Sequence, residues 1–234
     1  MPHSRVTAIA LAGLLSLATC AAHAGDTWSH EATPFLWTAG LDGHVGFSDS
    51  PVEISDTFKD LVGLANVGAA MRITARRAPV GWFGEASWME ADNNVSSASG
   101  PVMLQMTQTF AEGGLLYELD PKFALYGGLR YQGVNTSLDS ASTHATRNEG
   151  WIDAIAGVRW TPLTTDNWVT WARADAGGGS SKLVWLAEAG GGYRWGKRWS
   201  AYLSYRILDT HYEHETFLYD VQQNGLLIGF GFRY

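Results

Sequence analysis

Disulfide chemistry is closed to this chain, because its single cysteine, Cys20, sits within the first two dozen residues. Charge is scarce too. Only 17% of the residues are Asp, Glu, Lys or Arg, too few to wet the whole outer face of a soluble β-protein. Basic clusters are missing, and the formal net charge of −7 argues against nucleic acid as a partner. Past the first 24 residues no apolar run approaches the ~20 residues of a transmembrane helix. What the chain does have is 11 Trp and 27 Gly beside that low charge. A lipid-spanning chain without such helices has one remaining solution, a closed β-barrel.

The N-terminus reads as an export signal. His3 and Arg5 give a weakly basic start, and residues 6–19 are apolar and small-residue rich. Ala22-His23-Ala24 then places small residues where a signal peptidase reads, so cleavage before Gly25 is expected. Leu17-Ala18-Thr19-Cys20 is an imperfect lipoprotein box, with Thr19 a poor fit before the cysteine. Loss of residues 1–24 removes Arg5, leaving 15 basic against 23 acidic residues and a net charge of −8. The remaining 25–234 suits one domain.

Period-two alternation runs through the rest, the signature of strands. Asp153 and Arg159 share one face of 151–160, with Ile152, Ala154, Ala156, Val158 and Trp160 on the other. Arg72, Thr74 and Arg76 oppose Val67, Ala69, Met71 and Ile73, and Glu188 and Arg194 oppose Trp185, Ala187, Ala189 and Tyr193. Ten strands are expected, with eight as the alternative, over roughly 29–47, 64–77, 81–92, 102–118, 123–138, 150–162, 167–177, 183–196, 198–213 and 217–234. Tight turns carrying Pro, Gly or Asp at 77–80, 119–122, 161–166 and 196–197 alternate with connections that are longer on the whole, at 48–63, 93–101, 139–149, 178–182 and 214–216. Short turns at one end and longer loops at the other describe an all-β, up-and-down antiparallel outer-membrane barrel, with both chain ends in the periplasm. Trp82, Tyr117, Phe123, Trp160, Trp168, Tyr193, Trp195, Trp199 and Tyr234 gather beside the short turns as an interfacial girdle would.

Ile228, Phe230, Phe232 and Tyr234 occupy alternate positions of the last strand. This segment resembles the C-terminal signal read by the barrel-assembly machinery of Gram-negative bacteria, which implies that machinery as a partner and insertion into the outer membrane. More widely, Thr33-Pro34-Phe35-Leu36-Trp37 with Gly40-Leu41-Asp42-Gly43, Trp151-Ile152-Asp153 with Gly157-Val158-Arg159, Asp175-Ala176-Gly177-Gly178, and Tyr205-Arg206 followed by Asp209 resemble a broad group of poorly characterised proteobacterial outer-membrane barrels. The resemblance implies a fold, a location and contact with outer-membrane lipids and lipopolysaccharide; it implies no activity.

Facing the lumen, the alternation places Asp42, His44, Arg72, Arg76, Glu85, Glu112, Arg130, Asp153, Arg159, Arg173, Asp175, Glu188, Arg194 and Arg206. Arginines and carboxylates in comparable numbers predict ion pairs across a narrow lumen, which either plug it or line a narrow channel. In His211-Tyr212-Glu213-His214-Glu215 a strand would put the two histidines on opposite faces, so no metal site is expected. A lipid A deacylase-like outer-leaflet enzyme would need a serine near a histidine; Ser48 or Ser142 with His211 or His214 could be drawn, without diagnostic spacing. Omptin proteases also have ten strands, but their motifs find no match. A soluble periplasmic barrel that binds a ligand is the remaining alternative. Gly177-Gly178-Gly179-Ser180-Ser181 lacks the ending of a phosphate loop and reads as a flexible surface hairpin. Residues 52–61 fit either a short strand or a helical turn. No catalytic residues and no cofactor are expected.

Overall fold

The computed structural model describes residues 28–47, 50–56, 67–97, 100–139 and 144–234. The segment read as a signal peptide, together with Cys20, Ser48 and Ser142, lies outside these residues. Strands β1 (Ser29–Phe47), β2 (Ser50–Asp56), β3 (Val67–Arg77), β4 (Val80–Ser97), β5 (Gly100–Glu118), β6 (Phe123–Asp139), β7 (His144–Thr164), β8 (Trp168–Gly179), β9 (Leu183–Trp195), β10 (Trp199–His214) and β11 (Phe217–Arg233) follow in order. From β3 to β11 each pairs antiparallel with the next, and β1 closes the circle on β11 from Glu31↔Arg233 to Phe47↔Phe217. β2 and β3 share one edge of β1: β3 takes its first half, Ser29↔Arg76 to Thr38↔Val67, and β2 its second, Leu41↔Asp56 to Phe47↔Ser50. Both run downward in one position, so the barrel has ten strand positions. The segment 52–61 therefore begins as strand, up to Asp56.

Two expected outer loops are largely strand. Ladder pairing continues to Ser97↔Gly100 and to Asp139↔His144. The polar residues of 93–101 and 139–149 hide this, because a strand past the apolar band keeps its backbone ladder while losing the alternation that betrays it. Two long hairpins, β4–β5 and β6–β7, thus stand at the end opposite the tight turns, beside the short β8–β9 and β10–β11 connections.

The barrel is apolar outside. Leu36, Leu115, Leu125, Leu129, Ile152, Val158, Leu203 and Ile228 are all exposed, as is a ring of aromatics at the tight-turn end that includes Trp82, Tyr117, Phe123, Trp160, Trp168, Trp195 and Trp199. Neighbouring rings brace one another there: Phe123 stacks with Trp160, Trp168 meets Tyr193 edge-on, and Phe230 packs against Trp195 and Trp199. Ile228, Phe230 and Tyr234 are exposed on this outer face, with Phe232 on the same side of β11. The band ends abruptly at the long-hairpin end. Asp42, Asp209 and Gln222 form one outward row, followed by His44, His211 and Asp220.

Asp42 is therefore not a lumen residue. The inward set of β1 is Phe35, Trp37, Ala39 and Leu41, all buried, so Asp42 and His44 face outward and are exposed. Above the apolar band an outward charge meets water, and the rule that sorts charges inward no longer applies.

Candidate functional site

The lumen holds three layers. At mid-height, four arginines and four carboxylates from seven strands form a continuous ion-paired network. Arg72 meets Glu85 at 2.6 Å and Glu188 at 3.0 Å, and Arg206 meets the same two at 2.6 and 3.0 Å. Arg173 bridges Glu112 at 2.6 Å and Glu188 at 2.9 Å. Arg130 bridges Glu112 at 2.7 Å and Asp175 at 2.8 Å. Register supplies some of these neighbours (Arg72↔Glu85, Arg130↔Glu112, Arg173↔Glu188 and Arg206↔Glu188). Arg130 reaches past β7 to Asp175 on β8, and others cross the lumen, as Arg206 on β10 does to reach Glu85 on β4.

Crossing has a purpose. Glu85 and Glu112 are direct register partners, an unfavourable juxtaposition of like charges. Arg206 and Arg173, arriving from the far wall, separate them electrostatically. Glu188 is the most connected member, accepting hydrogen bonds from Arg72, Arg173, Arg206 and the Ser204 hydroxyl. Tyr126 donates to Asp175 at 2.7 Å. Guanidinium faces lie over Phe35, Phe110 and Trp37, which fill the space between charges with ring surface. The network charges balance, and nearly all are buried.

Asp153 is inward but outside this network. It accepts hydrogen bonds from the Ser181 backbone N–H and hydroxyl, both at 2.7 Å. Those bonds draw the β8–β9 turn over the lumen and bury Ser181, so this hairpin is a tethered one rather than a flexible surface loop.

Above the network the lumen is a packed core. Tyr219 accepts from Gln108 at 3.1 Å and Gln223 at 2.7 Å, and Gln132 exchanges hydrogen bonds with Thr210. Trp151 stacks on Tyr212 with ring centroids 4.2 Å apart and packs against Tyr219. Trp37, Met89, Met106, Val134, Phe217 and Val221 complete the cluster. The shared parity of Trp151 and Asp153 is the sequence signal for this layer.

Below the network, at the tight-turn end, lies a cavity of about 310 Å³. Arg76, Arg159, Arg194 and Arg233 line it, with Glu31 their one carboxylate neighbour on its wall. Glu31 is already engaged by Arg233 at 2.9 Å, Tyr202 at 2.6 Å and Thr33 at 3.3 Å. Arg76, Arg159 and Arg194 make no ion pair among the described residues, and the Nε atoms of Arg159 and Arg194 are buried without a hydrogen-bond partner there. The fourteen inward residues named from alternation thus divide into eight network members, Asp153, the three cavity arginines and the misplaced Asp42 and His44.

His211 faces outward, 3.3 Å from Asp220, while Glu213 is paired with Lys182. No group of three or more metal-ligating side chains occurs among the described residues.

No protein-family model matches the chain, and neither does any curated protein. Among solved structures, the attachment invasion locus protein Ail of Yersinia pestis, in complex with a heparin analogue, is 13% identical, with 90% of this chain and 100% of that one covered at a TM-score of 0.42. The outer membrane protease OmpT of Escherichia coli is 10% identical, with coverage of 89% and 96% and a TM-score of 0.44. A major outer membrane protein of Thermus thermophilus is 10% identical, with coverage of 91% and 100% and a TM-score of 0.44. Likenesses this distant lend the chain no function, and the barrel rests on its own register.

Proposed function

We propose that this chain is an integral outer-membrane barrel of structural or interaction type, closed to solute passage. The apolar exterior supports the membrane placement. On β10 it runs from Trp199 to Ile207 before Asp209 ends it, close to the ~9–11 residues a tilted strand needs to cross. A soluble barrel would invert this distribution, with the charges outside. On this reading the tight turns face the periplasm, the long hairpins face outward, the outer wall contacts lipid and lipopolysaccharide, and the outward Ile228, Phe230, Phe232 and Tyr234 serve the assembly machinery.

The single observation that carries closure is the four-by-four network. Each ion would cost several kcal/mol to bury alone, so a permeating solute would have to break pairs whose partners have no water to turn to. The aromatic and aliphatic layer above it closes the lumen a second time. In planar bilayers the refolded protein should show no discrete conductance steps. Reproducible single-channel steps in the wild type, lost or altered in Arg130→Ala, would establish the narrow-channel reading instead. An outer-leaflet lipid-modifying enzyme gains nothing from the exposed His211–Asp220 pair, and His211→Ala with His214→Ala should leave lipid A mass spectra unchanged.

A further inference from the structure

The cavity at the tight-turn end has a charge surplus that the rest of the lumen takes care to avoid. Arg159 pairs in register with Arg173, and Arg76 and Arg72 also act on it, with Glu188 the opposing carboxylate. Arg173 and Arg72 are satisfied within the network, so Arg159 is the like-charge neighbour left over. Arg76 has Glu118 and Glu31 in its field but no ion pair with either among the described residues. Three guanidinium groups are thus held in one pocket, and burial of an uncompensated cation is costly.

The walls are arranged to keep the pocket open. The Tyr202 ring rests on Gly192 and the Phe35 ring on Gly229, where a Cβ would collide with either ring. Without these glycines both rings would be pushed into the pocket. Trp171 meets Tyr202 edge-on and carries the Arg159 guanidinium 5.8 Å from its ring centroid. Thr74, Thr161 and Thr164 add hydroxyls to the lining. At about 310 Å³ the space suits a small ligand.

We infer that this vestibule is an anion site for a compact phosphoryl group, held by the forks of Arg76, Arg159 and Arg194. A phosphoryl group offers three oxygens to the three arginines that line one cavity, whereas a lone carboxylate offers two. On the topology proposed above the ligand arrives from the periplasm, but binding itself can be measured on protein in micelles, so it stands or falls separately from membrane orientation and conductance.

Trp171 supplies the readout. At low ionic strength, inorganic phosphate or pyrophosphate should change the tryptophan fluorescence of the refolded barrel saturably, with half-saturation below about 1 mM. Arg159→Gln and Arg194→Gln should each weaken pyrophosphate by about 10-fold or more, while Arg77→Gln, at an exposed position on the opposite face, should leave it unchanged. In the absence of ligand, Arg159→Gln should raise the urea midpoint of unfolding, since it relieves an unpaired cation; a purely structural arginine would lower it. No saturable response to either probe, or an equal loss in Arg77→Gln, would overturn the site. Succinate binding as tightly as pyrophosphate would overturn its phosphoryl character.

Discussion

The middle of the lumen and its tight-turn end use the same residue type, on the same inward parity, for opposite outcomes. At mid-height each arginine touches at least two carboxylates, and the network neutralises itself. One layer lower, Arg76, Arg159 and Arg194 find none within ion-pair distance among the described residues, because Glu31 is taken by Arg233. The number of partners, not the presence of charge, separates packing from a site. A balanced cluster fills space and excludes solvent; an unbalanced one leaves field and volume for a ligand.

The comparison breaks most violently at Glu188. Glu188→Ala would strip three arginines of a shared carboxylate at once and leave them buried. The expected loss is about 3–5 kcal/mol, read from urea unfolding in micelles. A loss within the experimental error would mean that water enters the network, and the closed-lumen reading would fail with it. Thr74→Glu tests the converse by importing the network's logic into the vestibule. A carboxylate at this position, which lines the cavity with Arg76 and Arg159, should weaken pyrophosphate by about 10-fold or more. It should also stabilise the ligand-free barrel by about 1 kcal/mol. Stabilisation with unaltered binding would show that the anion sits elsewhere.

Much of this contrast can be anticipated from alternation, but not all. Period two assigns Arg130, Glu112, Arg206 and Glu85 to the lumen without any knowledge of register. It does not say that Arg206 reaches Glu85 across the barrel, because that depends on curvature and strand order. Isolation of Arg159 is illegible for the same reason, since a missing partner is a three-dimensional fact. Asp42 is misplaced when an inward-charge rule is extended above the apolar band, where water removes its physical basis. Trp151 and Tyr219 go unseen because the same rule leaves no room for an apolar lumen layer. The tight turns are legible, since turn chemistry is local, whereas the connections opposite them at 178–182 and 214–216 turn out to be equally short.

The upper lumen offers a neutral reference for the two charged layers. Tyr219→Phe removes an oxygen that accepts from both Gln108 and Gln223. The expected cost is about 1–3 kcal/mol in the same unfolding assay, below that of Glu188→Ala because the groups left unsatisfied are uncharged. A cost equal to that of Glu188→Ala would remove the distinction between losing a hydrogen bond and orphaning an ion.

The smallest effect belongs to an ion pair with open water around it. Lys182 hydrogen-bonds Glu213 beyond the apolar band and holds its carboxyl below the ordinary value of 4.5. A depressed carboxyl contributes stability above its unfolded value and loses it as pH falls through the folded one. Lys182→Ala should therefore return the Glu213 titration toward the ordinary carboxylate range, seen by NMR, and slightly flatten the acid limb of the stability profile. At neutral pH the unfolding midpoint should hardly move, because solvent screens an exposed pair. An ion pair identical in chemistry to those of the lumen would then be nearly silent. A large shift at neutral pH would instead show that the outer hairpins contribute to stability as the buried network does, and the line between exposed and buried pairs would have to be drawn higher on the barrel.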